Sequence, residues 1–377
     1  MNIAVIICEL NPMHRGHFYL IEEVKKKNID IVVGIMSGNF VQRGDLSIVN
    51  KFTKARLALN LGFDLILELP SFSSLKSAEF FANDAVKIAS KIGANYLAFG
   101  SETGEELLDF FRIIENNKSF INKKLREYLK LNYSYSKAFR LATSELISNF
   151  KIFSNDSLGL EYLRAIDKTY IKPIIIKRVG QDYLDENRTE FYPSASSIRS
   201  SLYEKNYNIK SIMDPFVKEA ILNLDLKSLS NSNEKIYELL KYKILVENNE
   251  VSNIIFYENG LENLFRNNFD KINYNLFLDS ISSKRYKKSR LKRFILNYIL
   301  ENNSYDMDLY IRPLSFNDKG RDVLKNINNK EKIISKLADS QKSKEIEFET
   351  RATALYNILT NSNINEYKIS PYYNKSL

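Results

Sequence analysis

The sequence has only two histidines, His14 and His17, and they lie three positions apart. The apolar run Ile3–Cys8 comes shortly before them, and Gly16 lies between them. A buried strand, a turn and then a helix place unpaired N–H groups and the positive end of the helix dipole where an anion binds. Imidazoles there add directional donors, and a glycine lets a ligand approach the backbone closely. Because nucleotidyl transfer depends on positioning and charge stabilisation, this pattern favours a site for cleaving a nucleotide between its phosphates.

The sequence alone also allows two alternative roles for the histidine pair. The side chains could lie on the surface without a function, or they could share a metal ion. A metal site needs at least a third ligand, and Cys8 belongs to an apolar run where a thiol is usually buried and inert. The sequence therefore predicts no metal site, and no cluster of carboxylates indicates where Mg²⁺ would accompany a nucleotide.

The first half of the chain alternates apolar runs with amphipathic segments, which predicts alternating strands and helices. The predicted strands are Ile3–Cys8, Ile29–Ile35, Leu65–Leu69, Tyr96–Phe99 and Pro173–Lys177. The predicted helices are Phe18–Lys27, Phe52–Leu61, Ala78–Ile92, Glu105–Ile114 and Leu158–Ile166. We therefore expect an α/β fold with a Rossmann-like doubly wound parallel sheet, in which ligands bind beyond the carboxyl ends of the strands. The histidine pair follows the first strand at that edge.

After about residue 205 the strand pattern fades, and the remainder has the composition of helices. The chain of 377 residues is also longer than the roughly 250–300 residues at which a single core usually stops growing. We predict an ATP-binding, nucleotidyltransferase-like catalytic domain at residues 1–205 and a mostly α-helical C-terminal domain at residues 206–377. The single cysteine excludes a disulfide within the chain, and no apolar run reaches the roughly 18 residues that span a membrane. We expect a cytoplasmic protein, and the sequence points to no membrane and no protein partner.

A net charge of +9 suggests an acidic partner, for which nucleic acid is the first candidate. The charge is concentrated at residues 284–293, where seven of ten residues are basic and none is acidic. Apolar residues at helical spacing predict that one face packs while the basic side chains face water. Such a helix suits RNA phosphates, although many charge runs are only solvated surface. The expected RNA contacts are Lys284, Arg285, Lys287, Lys288, Arg290, Lys292 and Arg293, extended by Arg312, Lys319 and Arg321.

Several motifs, in order along nearly the whole chain, resemble those of the bacterial tRNA(Met) cytidine acetate ligase family. The turn His14-Arg15-Gly16-His17 is similar to the H-x-G-H motif of HIGH-type nucleotidyltransferases in general. Further segments narrow the resemblance to this one family: residues 9–14, 36–45, 64–70, 99–102, 154–159, 176–180, 285–286 and 311–314. Asp156 stands where the family usually has asparagine, which adds a negative charge near the expected site.

This resemblance implies a two-step reaction. Acetate attacks the α-phosphate of ATP to give acetyl-adenylate and pyrophosphate, and the acetyl group then passes to the wobble cytidine of elongator tRNA(Met), giving N4-acetylcytidine and AMP. His14 and His17 would be the catalytic residues. The implied ATP contacts are Ile7, Cys8, Glu9, Leu10, Asn11, Pro12, Met13, His14, Arg15, Gly16, His17, Phe18, Tyr19, Leu20, Gly100, Asn155 and Arg178.

Four of the expected site elements also suit a purely structural role. Asn155 precedes a predicted helix and would look the same as an N-cap. Arg178 closes the last predicted strand, where it could clamp a phosphate or form a surface ion pair. Residues 194–199 resemble an element that grips the triphosphate through Ser197 and Arg199, but they also suit a capped helix. Residues 37–45 suit an acetate pocket or a tight turn.

Two alternative functions belong to other classes of protein. A small-molecule adenylyltransferase or cytidylyltransferase of cofactor biosynthesis would share the histidine motif, but it has little need of a large basic helical domain. An RNA-binding module with a vestigial nucleotide fold would keep the basic helix, but the intact H-x-G-H motif argues against it. The sequence therefore favours the ligase.

Overall fold

The computed structural model describes residues 1–147, 152–178, 195–203, 215–248, 250–328 and 332–375. Its strands are β1 (Ile3–Cys8), β2 (Ile31–Ser37), β3 (Leu65–Leu69), β4 (Tyr96–Ser101), β5 (Lys172–Lys177), β6 (Pro313–Phe316) and β7 (Tyr372–Tyr373). They form one seven-stranded sheet in the order β5-β4-β1-β2-β3-β6-β7. The first five strands are parallel, whereas β6 runs antiparallel to β3 and carries β7 at the edge.

The order of the strands creates a switch point between β1 and β4. The chain moves outward from β1 through β2 to β3 and then returns to β4 on the other side of β1. The connections that leave β1 and β4 therefore diverge at their carboxyl ends and open a crevice there, which is where ligands bind in doubly wound sheets. The predicted doubly wound α/β fold is confirmed.

Sixteen α-helices are present in the described residues. Those of the first half are α1 (Arg15–Lys25), α2 (Lys51–Asn60), α3 (Ser71–Ser74), α4 (Ala78–Lys91), α5 (Glu106–Asn116), α6 (Lys118–Lys130), α7 (Tyr135–Ser144) and α8 (Ser154–Ile166). Those of the second half are α9 (Ala195–Tyr203), α10 (Pro215–Leu222), α11 (Leu226–Tyr242), α12 (Leu261–Arg266), α13 (Tyr274–Ile281), α14 (Lys288–Ile299), α15 (Asp318–Lys325) and α16 (Lys344–Thr360). Helices α1 and α8 begin three and four residues earlier than predicted, because polar capping residues form their first turns.

The two faces of the sheet are covered by different helices. Alternate residues of a strand point to opposite faces, so Val5 and Ile7 pack with α4, α5 and α8, while Ile6 and Cys8 pack with α1 and α2. A third apolar cluster joins the helices of the second half, and it includes Phe40 from the segment after β2. The second half therefore packs directly against the ligand edge of the sheet.

The predicted boundary between residues 205 and 206 falls in the segment 204–214, which lies outside the described residues. The second half is mostly helical, as predicted, but it also contributes β6 and β7 to the sheet. These strands were not predicted because, at four and two residues, they are too short to show a strand pattern. Next to β6, the Asn317 amide donates to Asp64 Oδ1 at 2.8 Å.

Five charged side chains form a buried ion cluster between the two halves: Lys51, Glu68, Arg312, Glu349 and Glu366. Lys51 Nζ lies 2.6 Å from Glu68 Oε1, 2.8 Å from Glu349 Oε1 and 2.6 Å from Glu366 Oε1. Arg312 Nη1 lies 2.9 Å from Glu68 Oε2 and 2.6 Å from Glu366 Oε2. The expectation that Arg312 extends an RNA-binding patch was therefore wrong, since its guanidinium is paired inside the protein.

Candidate nucleotide-binding site

The turn that carries the histidine motif is fixed between β1 and the segment after β2. Leu10 takes a left-handed conformation with φ 49°, which is uncommon for a residue with a side chain. Asn11 is buried, and its Oδ1 accepts a hydrogen bond from Ile48 N at 2.8 Å. Its Nδ2 donates to Leu46 O at 2.9 Å. These contacts hold the start of α1 above the carboxyl end of β1.

His14 and His17 cap α1 with their own side chains. His14 Nδ1 accepts a hydrogen bond from Gly16 N at 3.1 Å, and His17 Nδ1 accepts one from His14 N at 3.2 Å. The ring centroids lie 3.9 Å apart. Because both Nδ1 atoms are acceptors, each neutral ring carries its proton on Nε2. The turn therefore offers two Nε2–H donors side by side at the N-terminus of a helix.

Both imidazoles are neutral at physiological pH. Burial and the nearby Arg178 lower the pKa of His14 to about 4. Burial, His14 and Arg178 hold the pKa of His17 well below its usual value. The pair therefore acts through hydrogen bonds and not through a permanent positive charge. The interpretation as surface histidines without a function fits poorly with this burial and capping.

Gly100 and Arg178 face the histidines across the switch point. A Cβ atom at Gly100 would lie 3.3 Å from Cγ of Arg178, so a side chain would press against the arginine. Arg178 Nε is buried and has no hydrogen-bond partner among the described residues, while Glu102 Oε1 is 3.9 Å from it. A buried unpaired N–H is costly unless a ligand meets it, which suits a phosphate. Arg178 is half-buried and lies within ion-pair distance of the buried Glu102, so the structure is compatible with both roles of Arg178, as an ion-pair partner and as a phosphate contact.

Asn155 lies in the first turn of α8 and is not its N-cap. Phe153 occupies the N-cap position, and its N–H donates to Asp156 Oδ2 at 3.2 Å. Asn155 Nδ2 donates to Glu102 Oε1 at 2.5 Å. Glu102, which the sequence did not single out as a site residue, therefore positions both Asn155 and Arg178. The sequence signals for it were its place two residues after Gly100 and its position in the family segment 99–102.

The extra negative charge of Asp156 is stabilised by groups of the protein. Asp156 is fully buried, and its Oδ1 accepts a hydrogen bond from Ser101 Oγ at 2.6 Å. Its Oδ2 accepts one from Thr103 Oγ1 at 2.7 Å. The carboxylate therefore fastens α8 to the end of β4, and its hydrogen bonds are made to protein groups.

Lys54 is a second residue that the sequence did not indicate. Its buried ammonium donates to Glu9 O at 2.8 Å, Gly38 O at 3.0 Å and Ser47 Oγ at 2.9 Å. These bonds use all three of its protons and tie the carboxyl ends of β1 and β2 together. Burial lowers the pKa of Lys54 to about 8. No sequence pattern marks this lysine, since it lies in an ordinary helical segment.

The expected ATP-binding segment around the histidines divides into a buried and an accessible part. Ile7, Cys8, Leu10 and Met13 are buried in the core, so a nucleotide would meet them through the backbone. Burial raises the pKa of Cys8 to about 12, so its thiol stays protonated. Phe18 is exposed, and the half-buried residues of the segment are Glu9, His14, Arg15, Gly16, His17, Tyr19 and Leu20.

The segment expected to grip the triphosphate reaches the same turn. Arg199 Nη1 donates to Asn11 O at 2.6 Å, so α9 lies beside the histidine motif. Ser197 is exposed on this helix, and residue 194 lies outside the described residues. The structure thus brings Arg199 together with His14, His17 and Arg178 at one edge of the sheet.

The basic segment 284–293 has an exposed part and an inward-facing part. Lys284, Arg285, Lys287 and Lys288 are exposed. Lys292 and Arg293 are instead half-buried and contact the segment after β2: Lys292 Nζ is 2.7 Å from Asp45 Oδ1, and Arg293 Nη1 donates to Gln42 O at 3.0 Å. The expectation that these two side chains face water was wrong, because α14 packs its second turn against the first half of the chain.

Several more of the basic side chains form ion pairs. Arg285 Nη2 lies 3.0 Å from Glu258 Oε2, and Arg290 pairs with the same carboxylate. Lys288 pairs with Asp279 on α13. The patch therefore presents fewer unpaired charges than its sequence suggests.

The part of the chain that the structure describes contains no group of three or more histidine, cysteine, aspartate or glutamate side chains arranged to hold a metal ion. None of the described helices is both long and apolar enough to cross a membrane.

Comparison with known proteins agrees with this geometry. The HIGH Nucleotidyl Transferase family model matches residues 1–370. A tRNA(Met) cytidine acetate ligase of Clostridium botulinum is 37% identical over 96% of this chain and 95% of its own length. The corresponding ligase of Clostridium perfringens is 36% identical over 98% of this chain and 99% of its own.

Two crystal structures of Thermotoga maritima TmcAL share the fold over 100% of both chains. The apo form gives a TM-score of 0.84 at 27% identity. The form bound with alpha-thio ATP gives 0.85 at 26% identity. This chain therefore belongs to the tRNA(Met) cytidine acetate ligase family of HIGH nucleotidyltransferases.

Proposed function

We propose that this protein forms acetyl-adenylate from ATP and acetate and transfers the acetyl group to the wobble cytidine of elongator tRNA(Met). The observation that carries the proposal is the pair of neutral, Nε2-protonated histidines at the switch point between β1 and β4. The names of the relatives supply the substrate class, and the TmcAL crystal bound with alpha-thio ATP supports ATP as the nucleotide substrate.

In the first step, an acetate oxygen attacks the α-phosphorus of ATP and pyrophosphate leaves. We assign the Nε2–H groups of His14 and His17 to the oxygens around the α–β bridge, where negative charge grows as the bond breaks. The positive end of the α1 dipole and the unpaired Nε–H of Arg178 act at the same place. Removing one such donor typically costs a factor of about 10²–10³ in rate.

The remaining expected contacts surround the nucleotide. Gly100 leaves the backbone of β4 bare beside the adenosine, and Asn155 is held next to it by Glu102. Arg199 reaches the turn from α9, where its remaining N–H groups suit the triphosphate.

We assign the RNA phosphates to the exposed part of the basic segment: Lys284, Arg285, Lys287 and Lys288. Lys292 and Arg293 link this surface to the segment after β2. RNA bound along the exposed part would therefore lie next to the nucleotide edge of the sheet. A tRNA substrate places the enzyme in the cytoplasm.

The test separates the two steps. Acetate-dependent exchange of labelled pyrophosphate into ATP, without RNA, measures adenylate formation. A second reaction with protein, ATP, acetate and a tRNA(Met) transcript is digested to nucleosides for mass analysis. We expect exchange only with acetate, and N4-acetylcytidine only in the complete mixture. Turnover with a phosphorylated alcohol in place of acetate would instead support a cofactor-synthesis enzyme.

A further inference from the structure

Glu9 directly follows β1, and one of its two carboxylate oxygens makes no hydrogen bond to the described residues. Its Oε1 accepts a hydrogen bond from Gln42 N at 2.7 Å, which fixes the side chain against the segment after β2. Its Oε2 has no hydrogen bond to any of the described residues, and the side chain is half-buried. One acceptor at the ligand edge of the sheet is therefore held in place and unused.

Tyr162 supplies a second unused polar group in the same place. It lies on α8, is 4% exposed, and packs against Phe99 with ring centroids 5.4 Å apart. Within the described ranges its hydroxyl makes no hydrogen bond, and it lies close enough to Glu9 to interact with that carboxylate electrostatically. The hydroxyl therefore remains available to a ligand or to water at this edge of the sheet.

Cations surround this carboxylate from several elements. The charged and titratable groups that act electrostatically on Glu9 are Cys8, Arg43, Lys54, Tyr162, Arg199 and Arg293. Arg43 Nη2 donates to Ser154 Oγ at 3.1 Å and Arg293 Nη1 to Gln42 O, which leaves each guanidinium further N–H groups. Burial raises the pKa of Glu9 and outweighs the opposing effect of the cations.

This combination selects a ligand that carries both donors and acceptors. A carboxylate repels acetate and phosphate, but it accepts hydrogen bonds from an amine. The Watson–Crick edge of an unpaired cytosine presents the N4 amine beside the acceptors N3 and O2, and carboxylates read cytosine through N4. Arg43, Arg293 and the Tyr162 hydroxyl offer donors for the two acceptors. Uracil carries an oxygen in place of the amine and would face the carboxylate with the wrong polarity.

We propose that Glu9 binds the exocyclic amine of the acceptor cytosine and takes its proton during acetyl transfer, with Tyr162 completing the base pocket. This inference rests on the proposed function. The amine nitrogen bonds to the carbonyl carbon of acetyl-adenylate, the bond from that carbon to the phosphate oxygen breaks, and AMP leaves. The proton released by the nitrogen goes to Glu9 Oε2, so atoms and charge balance.

The position of α14 supports this assignment. Arg293, on the second turn of α14, and Glu9 both bond to the backbone of Gln42. Glu9 accepts a hydrogen bond from the Gln42 N–H, and Arg293 donates one to the Gln42 carbonyl. The exposed basic residues that would hold RNA lie before and at the start of α14. A single unstacked base of that RNA would reach Glu9.

The decisive variant is Glu9→Gln, which keeps an oxygen for Gln42 N but cannot take a proton. Acetyl-adenylate is formed on the enzyme first, and tRNA is then added in a single-turnover experiment. We expect transfer to fall by about 10²–10⁴, the usual contribution of a general base, and at least tenfold more than pyrophosphate exchange falls. Equal losses in both steps, or transfer at the wild-type rate, would overturn the proposal.

Base specificity provides a readout that a structural role would not change. A transcript with uridine at the wobble position is used as a competitor for tRNA binding. We expect the wild type to discriminate against it and Glu9→Gln to lose most of that discrimination, since a glutamine amide can face either base. Discrimination that stays unchanged would contradict a contact with N4.

Two further variants protect the test against misfolding. Tyr162→Phe removes a hydroxyl without a protein partner, so it should fold at least as well as the wild type and still transfer more slowly. Glu105→Gln changes an exposed carboxylate and should behave as the wild type in both steps. If the wild type itself shows no acetate-dependent exchange, the proposed function fails. If Glu9→Gln and Tyr162→Phe both show normal exchange and normal transfer, only this inference is refuted.

Discussion

The buried ion cluster and the nucleotide edge both bring charged and polar side chains together around the ends of β1, β2, β3 and β4. The two regions differ in how these side chains are paired. In the cluster, Lys51 contacts three carboxylates and Arg312 contacts two. At the nucleotide edge, Arg178 Nε has no hydrogen-bond partner in the described residues, and the one hydrogen bond described for the Glu9 carboxylate is made to Oε1. In the cluster the charged groups pair with one another, whereas at the nucleotide edge some polar groups remain available to a ligand.

The difference teaches that burial of charge alone does not mark a functional site. A satisfied network joins parts of a fold, and removing one member leaves the others uncompensated. An unsatisfied group that the fold holds rigidly points to something that binds there. Substitutions in the two regions should therefore have different consequences, and the largest effect is expected in the cluster.

Lys51→Met should destabilise the protein by about 3–5 kcal/mol, because it leaves three buried carboxylates facing only Arg312. The measurement is the free energy of unfolding from urea denaturation. Lys26→Met is the matched control, since the exposed Lys26–Glu23 pair should contribute little to stability. Similar losses in the two variants would mean that the cluster is not what joins the halves.

His14→Asn should lower acetate-dependent pyrophosphate exchange by about 10²–10³, or about 2.7–4 kcal/mol, because it removes an Nε2–H donor from the phosphates. Asparagine is a good N-cap, so the start of α1 should be retained and unfolding should change little. Exchange and unfolding are measured on the same preparation. A loss of stability with normal exchange would make His14 a structural cap only.

His14 and Glu68, one from each region, should change the stability with pH in opposite directions. In the unfolded state His14 binds a proton below about pH 6.5, whereas in the folded state its pKa is about 4. This group therefore makes the free energy of unfolding fall as the pH falls from about 6.5 to 4. Burial and Glu349 raise the pKa of Glu68 to about 7, so Glu68 makes stability rise as pH falls from about 7 to 4.5.

Urea denaturation at several pH values checks these signs. We expect His14→Asn to flatten the loss of stability between pH 6.5 and 4, and Glu68→Gln to remove the gain between pH 7 and 4.5. One proton contributes at most about 1.4 kcal/mol per pH unit. Variants whose profiles run parallel to that of the wild type would contradict both assignments.

Lys288→Ala should weaken tRNA binding a few-fold and lower the slope of log affinity against log salt by about one. Its pair with Asp279 is exposed, so stability should hardly change. Lys292→Ala is the comparison, because Lys292 faces Asp45 and should leave the salt slope nearly unchanged. The assignment of exposed and inward-facing parts would be refuted if the two variants lowered the slope equally.

Much of the fold could be predicted because its signals are local. The apolar runs of β1 to β5, the helices between them and the histidine turn are all short patterns with a physical cause. Helices α6 and α7 were not predicted, although they are amphipathic, and β6 and β7 are too short to show alternation. Within the site, Lys54 could not be found, and Glu102 lay in a family segment without an assigned role, since nothing near either residue in the sequence indicates its partners.

The sequence by itself determined the alternating α/β order, the place of His14 and His17 after the first strand, and the family. Only the tertiary structure decided which charges remain available to a ligand. Arg312 is neutralised by Glu68 and Glu366, Asp156 is hydrogen-bonded by Ser101 and Thr103, and Lys292 is paired with Asp45. These partners are distant in sequence, and the strength of an electrostatic contact depends on separation and burial in space. The charge of a side chain follows from its residue type, but whether a partner already neutralises it depends on the fold.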